Sequence, residues 1–158
     1  MLQYEHMSKY LVSVQKFIPV PAEDLFDIIT DPQQHPLIDG SASPIRADIG
    51  APEKLQLGST FGVDMKVGTE FRKVNTVVEY EEGRRIAWKP RGDYRWRYIF
   101  EPVERGTLVT EEWDARTSRR RFGVSMLGTP RRALEGSSPT LDRLHDIAVK
   151  PHETVLAA

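Results

Sequence analysis

Between Tyr94 and Phe100 every second residue is aromatic (Tyr94, Trp96, Tyr98, Phe100), and Arg95, Arg97 and Ile99 lie between them. Side chains alternate faces along a strand, so the pattern predicts a strand with an aromatic wall on one side and guanidinium groups on the other. The same two-residue period runs through Ser59–Val67, with Phe61, Val63, Met65 and Val67 opposite Asp64 and Lys66. Tyr10–Val20 reads as a strand from Leu11, Val12, Val14, Phe17, Ile18 and Val20. Phe71–Tyr80 and Arg84–Trp88 predict a hairpin through Glu82-Gly83, Tyr94–Val103 and Thr107–Ala115 a second around Arg105-Gly106, and Pro44–Ile49 a weak edge strand.

Elsewhere the period becomes helical. Pro21 opens a helix over Ala22–Ile29, where Leu25, Phe26, Ile28 and Ile29 carry the apolar spacing and Glu23 and Asp24 sit in the first turn. Asp31-Pro32 ends it, and Gln33–Ile38 predicts a second short helix before Asp39-Gly40 turns the chain. A long helix from about 130 to 149 is marked by Ala133, Leu134, Leu141, Leu144, Ile147 and Ala148. Gly136-Ser137-Ser138-Pro139 interrupts it. Interior proline costs a helix about 3 kcal/mol, so a kink or break is expected there, either gating a cavity or lying harmlessly on a solvated turn.

The order is an α+β fold: a curved antiparallel sheet of about six to seven strands around a long C-terminal helix, with two short helices after the first strand. Residues 1–8 read as a loosely held leader, 9–150 as a single domain and 151–158 as a flexible tail.

Hairpin register groups the side chains further. Tyr94, Trp96, Tyr98 and Phe100 share a face with Val109, Glu111 and Trp113; Ile86 and Trp88 share one with Phe71, Asn75, Val77 and Glu79. If these faces are concave, a pocket is lined by Trp88, Trp96, Tyr98 and Trp113, with Phe61, Val63 and Met65 from the earlier strand and Asn75 as a hydrogen-bonding group. Glu111 is the sharpest residue among them. A carboxylate between apolar neighbours has its pKa raised unless it finds a donor, and Tyr98 opposite it or an arginine is the candidate donor. It is either a ligand anchor, or general acid/base, or a satisfied structural carboxylate. His35 and Asp39 lie near the expected cavity mouth and form a second acid/base candidate, or a capped turn.

Composition narrows the classes. A net charge of −1 over 158 residues gives no global field for nucleic acid or an anionic membrane. Arg119-Arg120-Arg121 and Arg131-Arg132 form a basic cluster, read as a solvated face balanced by nearby Glu and Asp. There is no cysteine, which excludes disulfides and thiolate chemistry. No apolar run has membrane-spanning length and residues 1–9 lack the apolar core of a signal peptide; the default compartment is the cytoplasm. His6, His145 and His152 do not join His35 in a metal-ligand spacing, so no metal site is expected. No phosphate loop, nucleophile elbow or dinucleotide fingerprint appears, and no cofactor is expected.

Several phrases resemble the START-related, polyketide-cyclase-like (SRPBCC) superfamily. They are Pro21–Ile29 after the first strand, Asp31-Pro32-Gln33-Gln34-His35-Pro36, Thr76–Tyr80 with Arg84–Trp88, Trp96-Arg97-Tyr98 with Glu101-Pro102-Val103, and Gly106–Glu111. The resemblance covers roughly Tyr10–Val149 and implies the helix-grip fold. Its members include lipid carriers, cyclases, hormone receptors and co-chaperones, so it implies no single chemistry.

Three functions follow as expectations. The first is binding of a lipid or polyketide-like aromatic metabolite between sheet and last helix, by a monomer or homodimer. The second is a cyclase/dehydratase using Glu111 or His35 with Asp39 as acid/base. The third is a co-chaperone-like or ribosome-associated interaction module, contacting partners through the outer sheet face at Arg95, Arg97, Lys66 and Lys73.

Overall fold

The computed structural model describes residues 3–40, 45–46, 48–90, 94–126 and 128–157, of which 45–46, 65–67, 124 and 152–157 are described by their backbone. The strands are β1 (Gln3–Met7), β2 (Leu11–Ile18), β3 (Ile45–Arg46), β4 (Thr60–Val67), β5 (Thr69–Glu81), β6 (Arg85–Pro90), β7 (Arg95–Val103) and β8 (Gly106–Asp114). The helices are α1 (Ala22–Thr30), α2 (His35–Ile38), α3 (Arg121–Met126) and α4 (Thr129–Ala157). A 3-10 turn, Pro32–Gln34, joins α1 to α2. All strand pairs are antiparallel, in the order β1-β2-β8-β7-β6-β5-β4-β3. The curved sheet closes on α4 in a helix-grip arrangement.

Each local element has a legible cause. Pro21 precedes α1, whose buried face is Ala22, Leu25, Phe26 and Ile29. The Asp31 carboxylate then accepts from the Gln33 N–H at 2.9 Å, capping the following turn. Gly83 turns the β5–β6 connection with φ 71°, a left-handed conformation that costs glycine little.

The core lies between the concave face of the sheet and the helices α1 and α4. Val14, Ile18, Leu25, Phe26, Ile29, Ile86, Phe100, Val109, Leu141 and Leu144 are wholly or almost wholly buried there. A second cluster of Val12, Trp113, Ala115 and Ala133 fills the end of the sheet beside the start of α4.

Four expectations are corrected. Residues 3–7 of the supposed leader form β1, paired with β2 from Gln3↔Lys16 to Met7↔Val12. All five are exposed, so backbone pairing rather than burial holds them, and their polarity concealed the strand. The break at 136–139 is absent: α4 runs through Pro139 and Pro151, and past 150 into the expected tail. Side chains take up hydrogen bonding around the proline, since Ser137 Oγ donates to the Ala133 carbonyl at 2.8 Å and Thr140 Oγ1 to the Gly136 carbonyl at 2.9 Å. Glu79 leaves the concave face, because a bulge between Val77 and Glu79 moves the register by one and brings Tyr80 opposite Ile86 instead. Lys73 pairs with Val63, two positions from Asn75 on the inner face, rather than lying outside.

Candidate ligand-binding site

The β7–β8 ladder sets Trp96 opposite Trp113, Tyr98 opposite Glu111 and Phe100 opposite Val109, the grouping expected from the sequence. On the other side Val77 faces Trp88, and Asn75 faces Phe61. The result is a continuous ring assembly. Trp88 lies 5.5 Å from Tyr98 and 5.3 Å from Phe61, and His35 stacks on Trp88 at 5.3 Å and 27° while meeting Phe61 edge-on at 5.2 Å.

Glu111 is buried within this assembly. Its Oε1 accepts a 2.8 Å hydrogen bond from the Tyr98 hydroxyl, while Oε2 has no partner among the described residues. Burial pushes its pKa up to about 8; the Tyr98 bond opposes that shift and the charge of Asp39 reinforces it. The carboxyl is therefore mostly protonated at neutral pH. Tyr98 is held well above the ordinary phenol value by burial, then by Glu111. Two residues on, Trp113 Nε1 is also buried and has no partner among the described residues.

His35 comes from α2, within the short helix expected over Gln33–Ile38. Its Nε2 lies 2.8 Å from the Ile29 carbonyl, which can only accept, so Nε2 carries the proton. Burial lowers its pKa, with the Ile29 bond and the charges of Asp31 and Asp39 pulling the other way. The imidazole is a neutral ring in an aromatic stack. Asp39 caps α2 and its field reaches His35, Tyr98 and Glu111 alike.

The profile of the family described as polyketide cyclase/dehydrase and lipid transport matches residues 10–146. The chain belongs to this family. Its place in the wider SRPBCC superfamily follows. An uncharacterised protein of Mycobacterium tuberculosis is 35% identical over 99 residues, covering 61% of this chain and 44% of its own length. The chain thus spans less than half of that relative. A crystal structure of a Nitrosomonas europaea protein superposes with TM-score 0.72 at 16% identity, over 93% of this chain and 98% of the other. A polyketide cyclase-like protein from Corynebacterium glutamicum superposes with TM-score 0.59 at 20% identity, over 90% and 94%. At those identities the likeness establishes the helix-grip fold.

Within this family framework, the residues singled out in the sequence divide into three groups. Trp88, Tyr98, Phe61, Asn75, Glu111 and His35 are brought together and buried; Trp96 and Val63 are partly buried beside them. Trp113 shares the face but packs with Val12, Ala115 and Ala133, so the three indoles do not form one wall. Trp96 touches both clusters and joins them. The Met65 side chain lies outside the described residues, as does that of Lys66.

The outer face is an ion-pair lattice rather than a free basic surface. Arg97 reaches Glu79 at 2.8 Å, Glu112 at 2.7 Å and Asp114 at 3.1 Å, and Arg95 reaches Glu79 at 3.1 Å. Two inner-face residues escaped the sequence reading. Lys16 is buried and bound to Asp142 of α4, although its even spacing with Val12, Val14 and Ile18 marked it as inward. Tyr80 was hidden by the bulge, which Val77-Val78 does not advertise. Two clefts of about 250 and 340 Å3 are lined by other residues, one beside Glu23, Asp27 and Arg84, the other beside Met7, Lys9 and Arg131. The aromatic assembly itself is covered. No helix among the described residues is long and apolar enough to cross a membrane, which leaves β-barrels unaddressed.

Proposed function

We propose that this chain binds a hydrophobic small molecule, a lipid or a polyketide-like aromatic metabolite, between the sheet and α4. The observation that carries the reading is the unsatisfied Glu111 Oε2 within the aromatic assembly, with a second such atom, Trp113 Nε1, in the neighbouring cluster that Trp96 joins to it. Each such atom costs about 1–3 kcal/mol when buried unpaired. A guest with a hydroxyl or carbonyl at one end offsets that cost, and its apolar body adds about 25 cal/mol per Å² removed from water. Membership of a family described by cyclisation, dehydration and lipid transport supports the same class of guest. Because the assembly is covered, entry requires α4 to move from the sheet. A cytoplasmic monomer or homodimer goes with this reading. Thermal-shift screening against fatty acids and polycyclic phenols, with native mass spectrometry of fresh protein, tests it. One compound class raising the melting temperature, with quenching of tryptophan fluorescence, is expected; no shift from any class and no mass adduct rejects it.

A second reading rests on the raised pKa of Glu111, about 8. A carboxyl protonated at neutral pH beside a tyrosine is suited to donating a proton, as a cyclase/dehydratase requires. His35 with Asp39 supplies a weaker alternative, since the imidazole proton is committed to the Ile29 carbonyl. Glu111→Gln separates the readings: binding retained with turnover lost supports the enzyme, and turnover unchanged removes Glu111 from catalysis.

A further inference from the structure

Ala115–Leu134 contains six arginines (Arg116, Arg119, Arg120, Arg121, Arg131, Arg132) and no Asp or Glu. The chain has 22 basic and 23 acidic residues, so the rest of the molecule is net acidic and this stretch is a strong local exception. The balancing carboxylates expected from the sequence are scarce here. Asp114 meets Arg116 at 2.9 Å and Glu135 meets Arg131 at 3.0 Å, but no carboxylate pairs with Arg119 or Arg120 among the described residues.

Apolar side chains protrude from the same place. Phe122 is 63% exposed and Met126 78%; four residues apart on α3, they share one helix face. The turn between β1 and β2 adjoins them, since Lys9 Nζ lies 4.4 Å above the Phe122 ring and the Arg121 guanidinium 5.7 Å above Tyr10. Between this turn and the start of α4 lies a cleft of about 340 Å3, lined by Met7, Ser8, Lys9, Ser125, Gly128, Pro130 and Arg131.

We propose that α3 and the β1–β2 turn dock this protein on an anionic lipid bilayer. Lys9, Arg119, Arg120 and Arg121 meet the headgroup charge, and Phe122 and Met126 enter the headgroup–acyl boundary. A nucleic-acid backbone would satisfy the arginines but give Phe122 and Met126 nothing to bury against. A bilayer satisfies both. The inference goes beyond carriage of a guest, and it also locates where a lipid would be exchanged: α3 leads directly into α4, whose first turns cover Trp113 through Ala133.

The test is co-sedimentation of the full chain, free of added guest, with phosphatidylcholine vesicles with or without about one third phosphatidylglycerol. Binding should be about tenfold or more tighter to the anionic vesicles and fall steeply as salt approaches about 0.5 M. Arg119→Glu with Arg120→Glu should remove most of it, while Arg84→Glu with Arg105→Glu, an equal charge change elsewhere on the surface, should leave most intact. In Phe122→Trp, brominated acyl chains should quench the added indole, a readout that does not depend on the charge variants folding. Equal binding to neutral and anionic vesicles overturns the proposal. So do equal losses in both double variants, an unquenched Trp at position 122, or tighter binding to single-stranded RNA than to anionic vesicles. A failed ligand screen would leave this result standing, because no guest is present.

Discussion

The Tyr98 hydroxyl donates to Glu111 Oε1 across the β7–β8 ladder at 2.8 Å, leaving the other carboxyl oxygen unpartnered. Burial, against the opposing pull of that bond, makes the folded state hold the Glu111 proton more tightly than the unfolded chain does, with a pKa of about 8 against an ordinary 4.5. Between those two values the native state binds the extra proton, so stability falls as pH rises and levels off above about 8. Glu111→Gln removes this dependence and should stabilise the protein at pH 8 by on the order of a few kcal/mol. Urea denaturation across pH 5–9 reads the difference; a wild-type curve flat from 6.5 to 8 would contradict it.

His35 imposes the opposite slope. Its pKa is depressed by burial, so the unfolded chain takes up a proton as pH drops below about 6.5 while the native ring stays neutral. Stability is lost in that direction. Below about 6.5 the two groups oppose one another until the native ring is itself protonated, so the wild-type profile should be shallower there than the Glu111 contribution alone. In His35→Phe, which keeps a ring against Trp88 and Phe61, the Glu111 contribution is left alone and stability should keep rising toward pH 4.5. The crossing of the two denaturation profiles is the measurement.

The alternating segments were read correctly because burial on one face enforces their period. Trp96, Tyr98 and Phe100 fell opposite Trp113, Glu111 and Val109 as expected, and a one-residue slip would have exposed every one of them. Features that cost little locally were not legible. Gln3–Met7 carries no apolar face to betray its pairing, and the bulge that exchanges Glu79 for Tyr80 is set by neighbouring strands. The break allowed for at Pro139 does not occur: its local penalty is real, yet α4 is held by tertiary contacts that outweigh propensity. The site was legible as a list of inward residues. Its division into two clusters depends on where α4 begins, which periodicity does not fix.

Arg97 is the hub of the outer face, with only 12% of its side chain exposed and three carboxylates around it. Burial opposes ionisation of Asp114, yet hydrogen bonds from Arg116 and Arg97 hold its carboxyl well below the usual range. Asp114 thus contributes stability present above about pH 4 and lost as pH falls. Arg97→Met should cost about 2–3 kcal/mol, below the fully buried range because Glu79 and Glu112 retain some solvent. It should also flatten the acid limb of the stability profile. Arg97→Lys should recover only part, since a single ammonium cannot span three carboxylates as a guanidinium fork does. A lysine variant as stable as wild type would refute the geometric part of this account.

Gly40 marks the point where the loop after α2 presses against α4. Its N–H donates to Thr140 Oγ1 at 2.8 Å, and a Cβ there would lie 2.4 Å from the Thr140 nitrogen and 2.5 Å from the Gly136 oxygen. Those neighbours are helix backbone and cannot rotate aside. Arg143 binds the Asp39 carbonyl one turn further along, so two residues of the loop are tied to successive turns of the helix. Gly40→Ala must therefore displace α4 or the loop, at a cost of about 1–3 kcal/mol. Displacement of α4 is also the entry route in the proposed binding function. The variant should show increased fluorescence of a bound naphthalene-sulfonate dye and faster hydrogen exchange in α4, while Thr140→Val, which removes the hydrogen bond without the clash, should show a smaller change of the same sign. If Gly40→Ala loses stability with no gain in dye binding or exchange, the contact is a structural clamp and the entry route lies elsewhere.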